Sequence, residues 1–176
     1  SIGIVVADDI KREPEDFLRD ADTAMYRAKE AGKSGYEIFN SEMHIRNKTL
    51  LKVENDLRRA IERDEFRVVY QPIVSLETGE ICEFEALIRW QHPEHGLIEP
   101  IEFIKVAEET GLIIPIGNWI IKEASRQTAD WQHRFPNSNP FAISINLSAK
   151  QLLHPPLVAQ IKEVLAETNL NPHSLR

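Results

Sequence analysis

Phe84-Glu85-Ala86-Leu87-Ile88-Arg89-Trp90 reads as a strand that carries a carboxylate and a guanidinium on one face. Side chains alternate along a strand, so Glu83, Glu85, Leu87 and Arg89 share one side while Phe84, Ala86, Ile88 and Trp90 share the other. The second set is an ordinary core face. The first is too charged for a core and too regular for a loop. Glu85 and Arg89 lie about 13 Å apart along an extended chain, too far for a comfortable direct ion pair. Each therefore needs a partner elsewhere, on another strand or in a ligand.

Working outward, Phe66–Val74 and Glu80–Trp90 are two strand-like segments joined only by Ser75-Leu76-Glu77-Thr78-Gly79. A parallel crossover needs roughly a dozen residues or more, so this pair is an antiparallel hairpin with Gly79 in the turn. Downstream, Gln91 to Gly96 reads as a loop. Its His92 and His95 are separated by Pro93 and followed by Gly96, so they are read as turn residues rather than a metal pair. Pro100–Thr110 is a helix closed by Gly111. Pro115–Arg134 is a longer one, with Ile116, Trp119, Ile120, Ala124 and Trp131 as core positions. Phe141–Leu147 alternates as a strand, placing Ser144 and Asn146 on one face and Ile143, Ile145 and Leu147 on the other. Ser148 and Gln151 form a capping box for a short helix. Another helix covers Pro156–Thr168.

Upstream, Ser1–Ala7 suits a buried strand. Pro14 opens a helix whose apolar stripe runs Phe17, Leu18, Ala21, Ala24, Met25 and Ala28. Gly32 closes it, and Tyr36–Phe39 is a second short strand. A helix then covers residues 41 to about 64, capped by Asn40 or Ser41. It joins two domains, with the boundary placed near residue 45: residues 1–44 before it, 45–176 after.

The 176 residues carry 42% apolar and 28% charged side chains, ordinary proportions for a soluble globular protein. A net charge of −7 argues against a polymeric nucleic acid as partner. A small anion held through a cation stays open. The single cysteine, Cys82, excludes an internal disulfide, suits a reducing, cytoplasmic setting, and reads as a packed thiol. No apolar run reaches the ~20 residues of a membrane helix.

Glu85-Ala86-Leu87 with Arg89-Trp90 resembles the signature of EAL domains, the cyclic di-GMP phosphodiesterase family. The resemblance extends to Tyr70-Gln71-Pro72-Ile73-Val74, Pro100-Ile101-Glu102-Phe103-Ile104, Glu108-Glu109-Thr110-Gly111-Leu112-Ile113 and Ser144-Ile145-Asn146-Leu147-Ser148, in the family's order and at roughly its spacing. It implies an α/β fold: a (β/α)8 TIM-like barrel with one antiparallel strand near its start. It implies that Glu85 and Asn146 are ligands of Mg²⁺ or Mn²⁺, with Glu85 catalytic. Leu87 and Arg89 would touch the dinucleotide, Arg89 at a phosphate, and Gln71 would lie beside it. The implied reaction is two-metal, in-line hydrolysis of cyclic di-GMP to linear pGpG. The alternative is a catalytically inactive EAL domain that serves as a cyclic di-GMP receptor or interaction module. An EAL homodimer is a further candidate partner.

Ala21–Lys29 followed by Gly32-Lys33 looks like the C-terminal end of a GGDEF domain, the diguanylate cyclase family, itself an α+β fold. That resemblance implies phosphate contacts from Lys29 and Lys33, where Lys33 stands in place of the usual arginine and loses its bidentate geometry. The plainer reading is that both lysines oppose the negative end of a helix dipole. The motif that names that family is absent, so no cyclase activity is expected of these residues. A closed barrel takes roughly 250 residues, more than twice the stretch from Phe66 to Arg176. The chain is therefore expected to be a fragment of a longer GGDEF-EAL protein, inactive and prone to aggregate in isolation. The parent is expected in the cytoplasm or anchored to the inner membrane by other segments.

Overall fold

A computed structural model describes residues 1–6, 13–30, 32, 34–136 and 141–176. The chain divides into two compact units, Ser1–Val53 and Glu54–Arg176. This division falls further along the sequence than the boundary placed near residue 45.

In the first unit, strand β1 (Ile2–Ile4) pairs in parallel with β2 (Tyr36–Ile38), and helix α1 (Pro14–Glu30) connects them. Acidic Glu15 and Asp16 open α1 and basic Arg27 and Lys29 close it, matching the helix dipole at both ends. Ala24 and Ala28 are buried. Gly3 permits the helix to lie directly on β1, because a Cβ there would sit 1.9 Å from the Ala21 carbonyl oxygen. The expected buried strand over Ser1–Ala7 is corrected: β1 is shorter, and Ile2, Ile4 and Val6 are exposed. A two-stranded sheet with one helix covers only one of its faces, which leaves the isoleucines of the other uncovered. Lys29 is exposed in the last turn of α1, and Lys33 lies outside the described residues.

Helix α2 (Ser41–Glu62) starts where the Asn40 side chain accepts the Met43 backbone N–H at 3.0 Å. Beyond it, β3 (Phe66–Val74) and β4 (Ile81–His92) form the expected antiparallel hairpin, with Phe66 opposite Trp90 and Gln71 opposite Glu85. The turn closes through Gly79, whose φ of 71° is left-handed. Pro72 fits within β3 because β4 is its one strand partner among the described residues. Ile73 pairs with Glu83 but Val74 with Ile81, so Cys82 is the extra residue of a bulge. Its thiol is exposed and contacts the Ile73 carbonyl at 3.4 Å. The packed-thiol reading is corrected, because a bulged residue leaves the regular alternation on which it depends.

β4 has partners on both edges. Its last residues pair with β5 (Gly96–Ile98), and Glu83–Ala86 pair in parallel with β6 (Ala142–Ile145). β5 is a strand that the sequence alone does not predict. Helices α3 (Pro100–Thr110) and α4 (Ile113–Arg134) fill the crossover from β5 to β6. Gly111, at φ 81°, ends α3 as expected. After β6 come α5 (Ala149–Leu152) and α6 (Leu157–Thr168), then a 3₁₀ turn at Pro172–Ser174. Leu175 pairs in parallel with Ile143, on the edge of β6 away from β4.

One face of this sheet is packed. Ala86, Ala124 of α4 and Ile143 make a fully buried contact, flanked by Val68, Tyr70, Phe84, Ile145 and Leu175. Phe66, Trp90 and Phe103 stack as neighbouring tilted or edge-on rings, with Trp119 beside Phe66 at 5.8 Å. Trp131 packs edge-on to Tyr70 at 4.7 Å. Of the expected core of α4, Ile116, Ile120 and Ala124 are buried, while Trp119 and Trp131 are partly covered.

Tyr70 and Ser125 each carry a cost in this packing. Ser125 Oγ on α4 is buried with no hydrogen-bond partner among the described residues. The Tyr70 hydroxyl is buried in the same way. Burial first, and the Glu123 carboxylate second, push its pKa from 10.0 up to about 12, with Arg126 opposing. The fold favours the neutral phenol, so this contribution is complete below pH 10 and is lost as pH rises through about 12. Tyr70→Phe removes the unpaired hydroxyl and should raise stability by about 1 kcal/mol in urea unfolding at pH 7. It should also delete a tyrosine ionisation near pH 12 from the absorbance titration. A loss of stability would mean that the hydroxyl is satisfied in solution.

Candidate functional site

The other face of the sheet is where the sequence-predicted residues meet. Cross-strand partners share a face, so the pairing register arranges this surface in rows. Gln71, Glu85 and Ser144 form one row, and Arg67 and Arg89 another. Leu87 and Val69 lie between, level with the end of β6, where Asn146 follows the strand. Gln71, Glu85, Leu87, Arg89 and Asn146 therefore occupy a single surface, opposite the packed core. Asn146 donates its amide Nδ2 to Glu85 Oε1 at 2.6 Å, joining residues 61 positions apart.

Glu85 does not lie at a strand end. It is the fifth residue of a twelve-residue strand. β4 runs on because its pairing with β3 continues to Trp90, and β5 then carries it through Gln91 and His92. β6 by contrast stops after Ile145, so Asn146 is at the rim of its own strand and reaches sideways to Glu85. Arg89 forms no ion pair with Glu85. Its guanidinium donates to the neighbouring Ile88 carbonyl at 2.8 Å.

Beneath this pair lies a second one. Glu83 is 8% exposed, accepts the Ser144 hydroxyl at one oxygen and receives Arg176 Nη1 at 2.7 Å at the other. Three adjacent strand segments are thus tied at one carboxylate on the site face. Sequence alone puts Glu83 on this face but gives it no role, and it does not single out Arg176. The one available signal is parity: Leu175 faces the core, so Arg176 must face away.

The turn after Asn146 is fixed independently. Ser148 and Gln151 make both bonds of the capping box. Gly117 of α4 makes room for Gln151, since a Cβ there would meet the Gln151 amide at 1.7 Å. Lys150 Nζ donates to the Glu108 carbonyl near the end of α3 at 2.6 Å. His92 is engaged in structure: its Nδ1 accepts the Glu94 and His95 N–H groups at 3.1 and 3.2 Å, and its ring stacks on His95. His95 lies in the turn as expected, but Gln91 and His92 are the last residues of β4, His92 pairing with Gly96, so the loop reading is corrected for them.

The donor set suits a hard divalent cation, because a carboxylate and an amide carbonyl are oxygen ligands of the preferred kind. Asn146 presents its nitrogen to Glu85, so turning the amide over would offer the carbonyl oxygen to a cation beside Glu85. Among the described residues, no group of three or more His, Cys, Asp or Glu is arranged to hold a metal.

A family profile for the EAL domain matches residues 54–176. The chain belongs to the EAL domain family. Its EAL domain starts where the second compact unit starts. Among curated proteins, the chain is 40% identical to the cyclic di-GMP phosphodiesterase PdeR of Escherichia coli strain K12 over 169 residues. It is 39% identical over 175 residues to the bifunctional diguanylate cyclase/cyclic di-GMP phosphodiesterase MucR of Pseudomonas aeruginosa. These alignments take in 96% and 99% of this chain but 25% of each relative, so the chain spans about a quarter of their length. Its fold is similar to that of the PaMucR phosphodiesterase solved in complex with c-di-GMP, with a TM-score of 0.67 and 41% identity, over 70% of this chain and 49% of that one.

The Glu83–Arg176 pair is open to a double-mutant cycle with Glu83→Gln and Arg176→Ala. Arg176 is well exposed, which screens the attraction, so a coupling of about 1 kcal/mol is expected in urea unfolding. Additive losses would show that the bridge contributes nothing to holding the strands.

Proposed function

We propose that this EAL domain is the opening segment of a (β/α)8-type barrel, and that the protein carrying it hydrolyses cyclic di-GMP to linear pGpG. The observation that carries this reading is the meeting of Glu85 and Asn146 at 2.6 Å on the polar face, with Gln71 and Leu87 around them. Glu85 and Asn146 would hold a divalent cation, Mg²⁺ or Mn²⁺, with further ligands from outside these residues. Such a cation supplies activation of water and neutralisation of charge on the phosphoryl oxygens. Glu85 provides the negative charge that draws the cation to this face, and Asn146 a neutral oxygen that adds no repulsion. Leu87 offers an apolar surface to the dinucleotide, Gln71 a hydrogen-bonding amide and Arg89 a guanidinium for a phosphate. Hydrolysis consumes one water and breaks one phosphorus–oxygen bond to a ribose oxygen.

Two similarities support the substrate. The named relatives PdeR and MucR are cyclic di-GMP phosphodiesterases, and the similar solved structure is a c-di-GMP complex. The first unit is proposed as the tail of a GGDEF domain. The alignment with MucR, a diguanylate cyclase as well as a phosphodiesterase by name, runs over 99% of the chain and so extends into it.

In the protein that carries this chain, Glu85→Gln should abolish cation-dependent conversion of cyclic di-GMP to pGpG, followed by ion-exchange chromatography. The loss should exceed the roughly 10–100-fold that outer-shell residues cost, with the unfolding transition unchanged. Asn146→Ala should act in the same direction. Binding of cyclic di-GMP without turnover by the unsubstituted protein would leave a receptor in place of an enzyme.

A further inference from the structure

Arg67 and Arg89 are register partners across β3 and β4, so both side chains leave the sheet on the site face. Directly opposed residues sit about 5 Å apart, and like charges so placed destabilise the pair. A carboxylate beside them would relieve the repulsion. Among the described residues neither guanidinium has one in ion-pair range. Arg67 Nη1 donates to the Asp64 and Phe66 carbonyls at 2.7 and 2.6 Å, and Arg89 Nη1 to the Ile88 carbonyl at 2.8 Å. Glu65 is engaged elsewhere, accepting the Trp90 indole N–H at 3.1 Å, and Glu85, about 13 Å along β4, accepts Asn146. A chain of net charge −7 has carboxylates to spare, yet this pair is left uncompensated.

An anion from outside resolves the repulsion. We propose that Arg67 is a second phosphate-binding residue of this site, forming with Arg89 a cross-strand guanidinium pair for the phosphodiester groups of a cyclic dinucleotide. The inference rests on the cyclic di-GMP reading. The pair sits four strand residues from Glu85, about 13 Å between Cα atoms. It therefore suits the phosphate that is not being cleaved, leaving Glu85 and Asn146 to the one that is. Guanidinium groups on flexible arms can each present two N–H donors to a phosphate.

The pair acts with opposite sign in the free and the bound protein, and that separates binding from a structural role. Isothermal titration with cyclic di-GMP, in EDTA so that no hydrolysis occurs, is run on the full protein carrying this chain. Arg67→Gln should weaken binding about tenfold or more, as expected for a lost charge-assisted hydrogen bond. It should also reduce the salt dependence of affinity, while the melting temperature of the unliganded protein holds or rises. Arg67→Lys, which keeps the charge without the fork, should recover part of the affinity. Unchanged affinity and salt dependence in Arg67→Gln would overturn the proposal. So would a loss of affinity that comes with a lower melting temperature and is not recovered in Arg67→Lys. If the unsubstituted protein binds no cyclic di-GMP, the reading of the site falls and the inference with it.

Discussion

Everything in the second unit is arranged around the two-sidedness of β4. A strand has two faces of alternating side chains, and β4 has been given incompatible chemistry on them. Ala86, Ile88 and Trp90 must leave water, whereas Glu85 and Arg89 must not be buried without partners. Phe103 of α3 covers Trp90, and helix α4 brings Ala124 against Ala86 and Ile143. Small residues at that contact let the helix lie close to the sheet. Once α4 is seated on one face, the charged residues are committed to the other, since a slip of one residue would invert both. The register with β3 and β6 obeys the same requirement.

The site face shows three different ways of living with charge. Glu83 is nearly buried and is neutralised within the chain, by a guanidinium and a hydroxyl from two neighbouring segments. Glu85 is intermediate: it has a neutral amide partner, which leaves its negative charge available to a cation. Among the described residues, Arg67 and Arg89 have only backbone carbonyls. The progression runs along β4 from the hairpin turn toward its far end, from a settled structural bridge to groups whose charge is unspent. That gradient is what distinguishes the site from an ordinary solvated sheet surface.

Much of this was legible in the sequence because it depends on short-range rules. The five-residue connector forced an antiparallel hairpin, and the alternation of β4 separated core from site. Ser148 and Gln151 announced their capping box, and Gly111 its helix end. What escaped depends on distant partners or local exceptions. β5 is three residues long and exists only because the end of β4 offers it an edge. The exposure of Cys82 comes from a bulge that alternation does not foresee. Glu83 and Arg176 are 93 positions apart, and nothing in either neighbourhood names the other. Glu85 and Asn146 were paired by family resemblance; periodicity alone placed each on a face without saying that the faces were the same.

The contact between Glu85 and Asn146 also sets an order of assembly. The β3–β4 hairpin is local and can close in roughly 1–10 μs. Asn146 is 61 residues further on, and at about 5–20 residues per second a ribosome delivers it some 3–12 s later. Through that interval the hairpin waits with both faces in water. Its charged face is at ease there, since Glu85, Arg67 and Arg89 are well solvated by water. The face bearing Ala86, Ile88 and Trp90 stays bare until α3 and α4 are made and dock. The newborn chain is thus most exposed to wrong partners on the side that takes no part in the proposed chemistry, and the speed with which α3 and α4 join the hairpin governs how much of it survives to form a site at all.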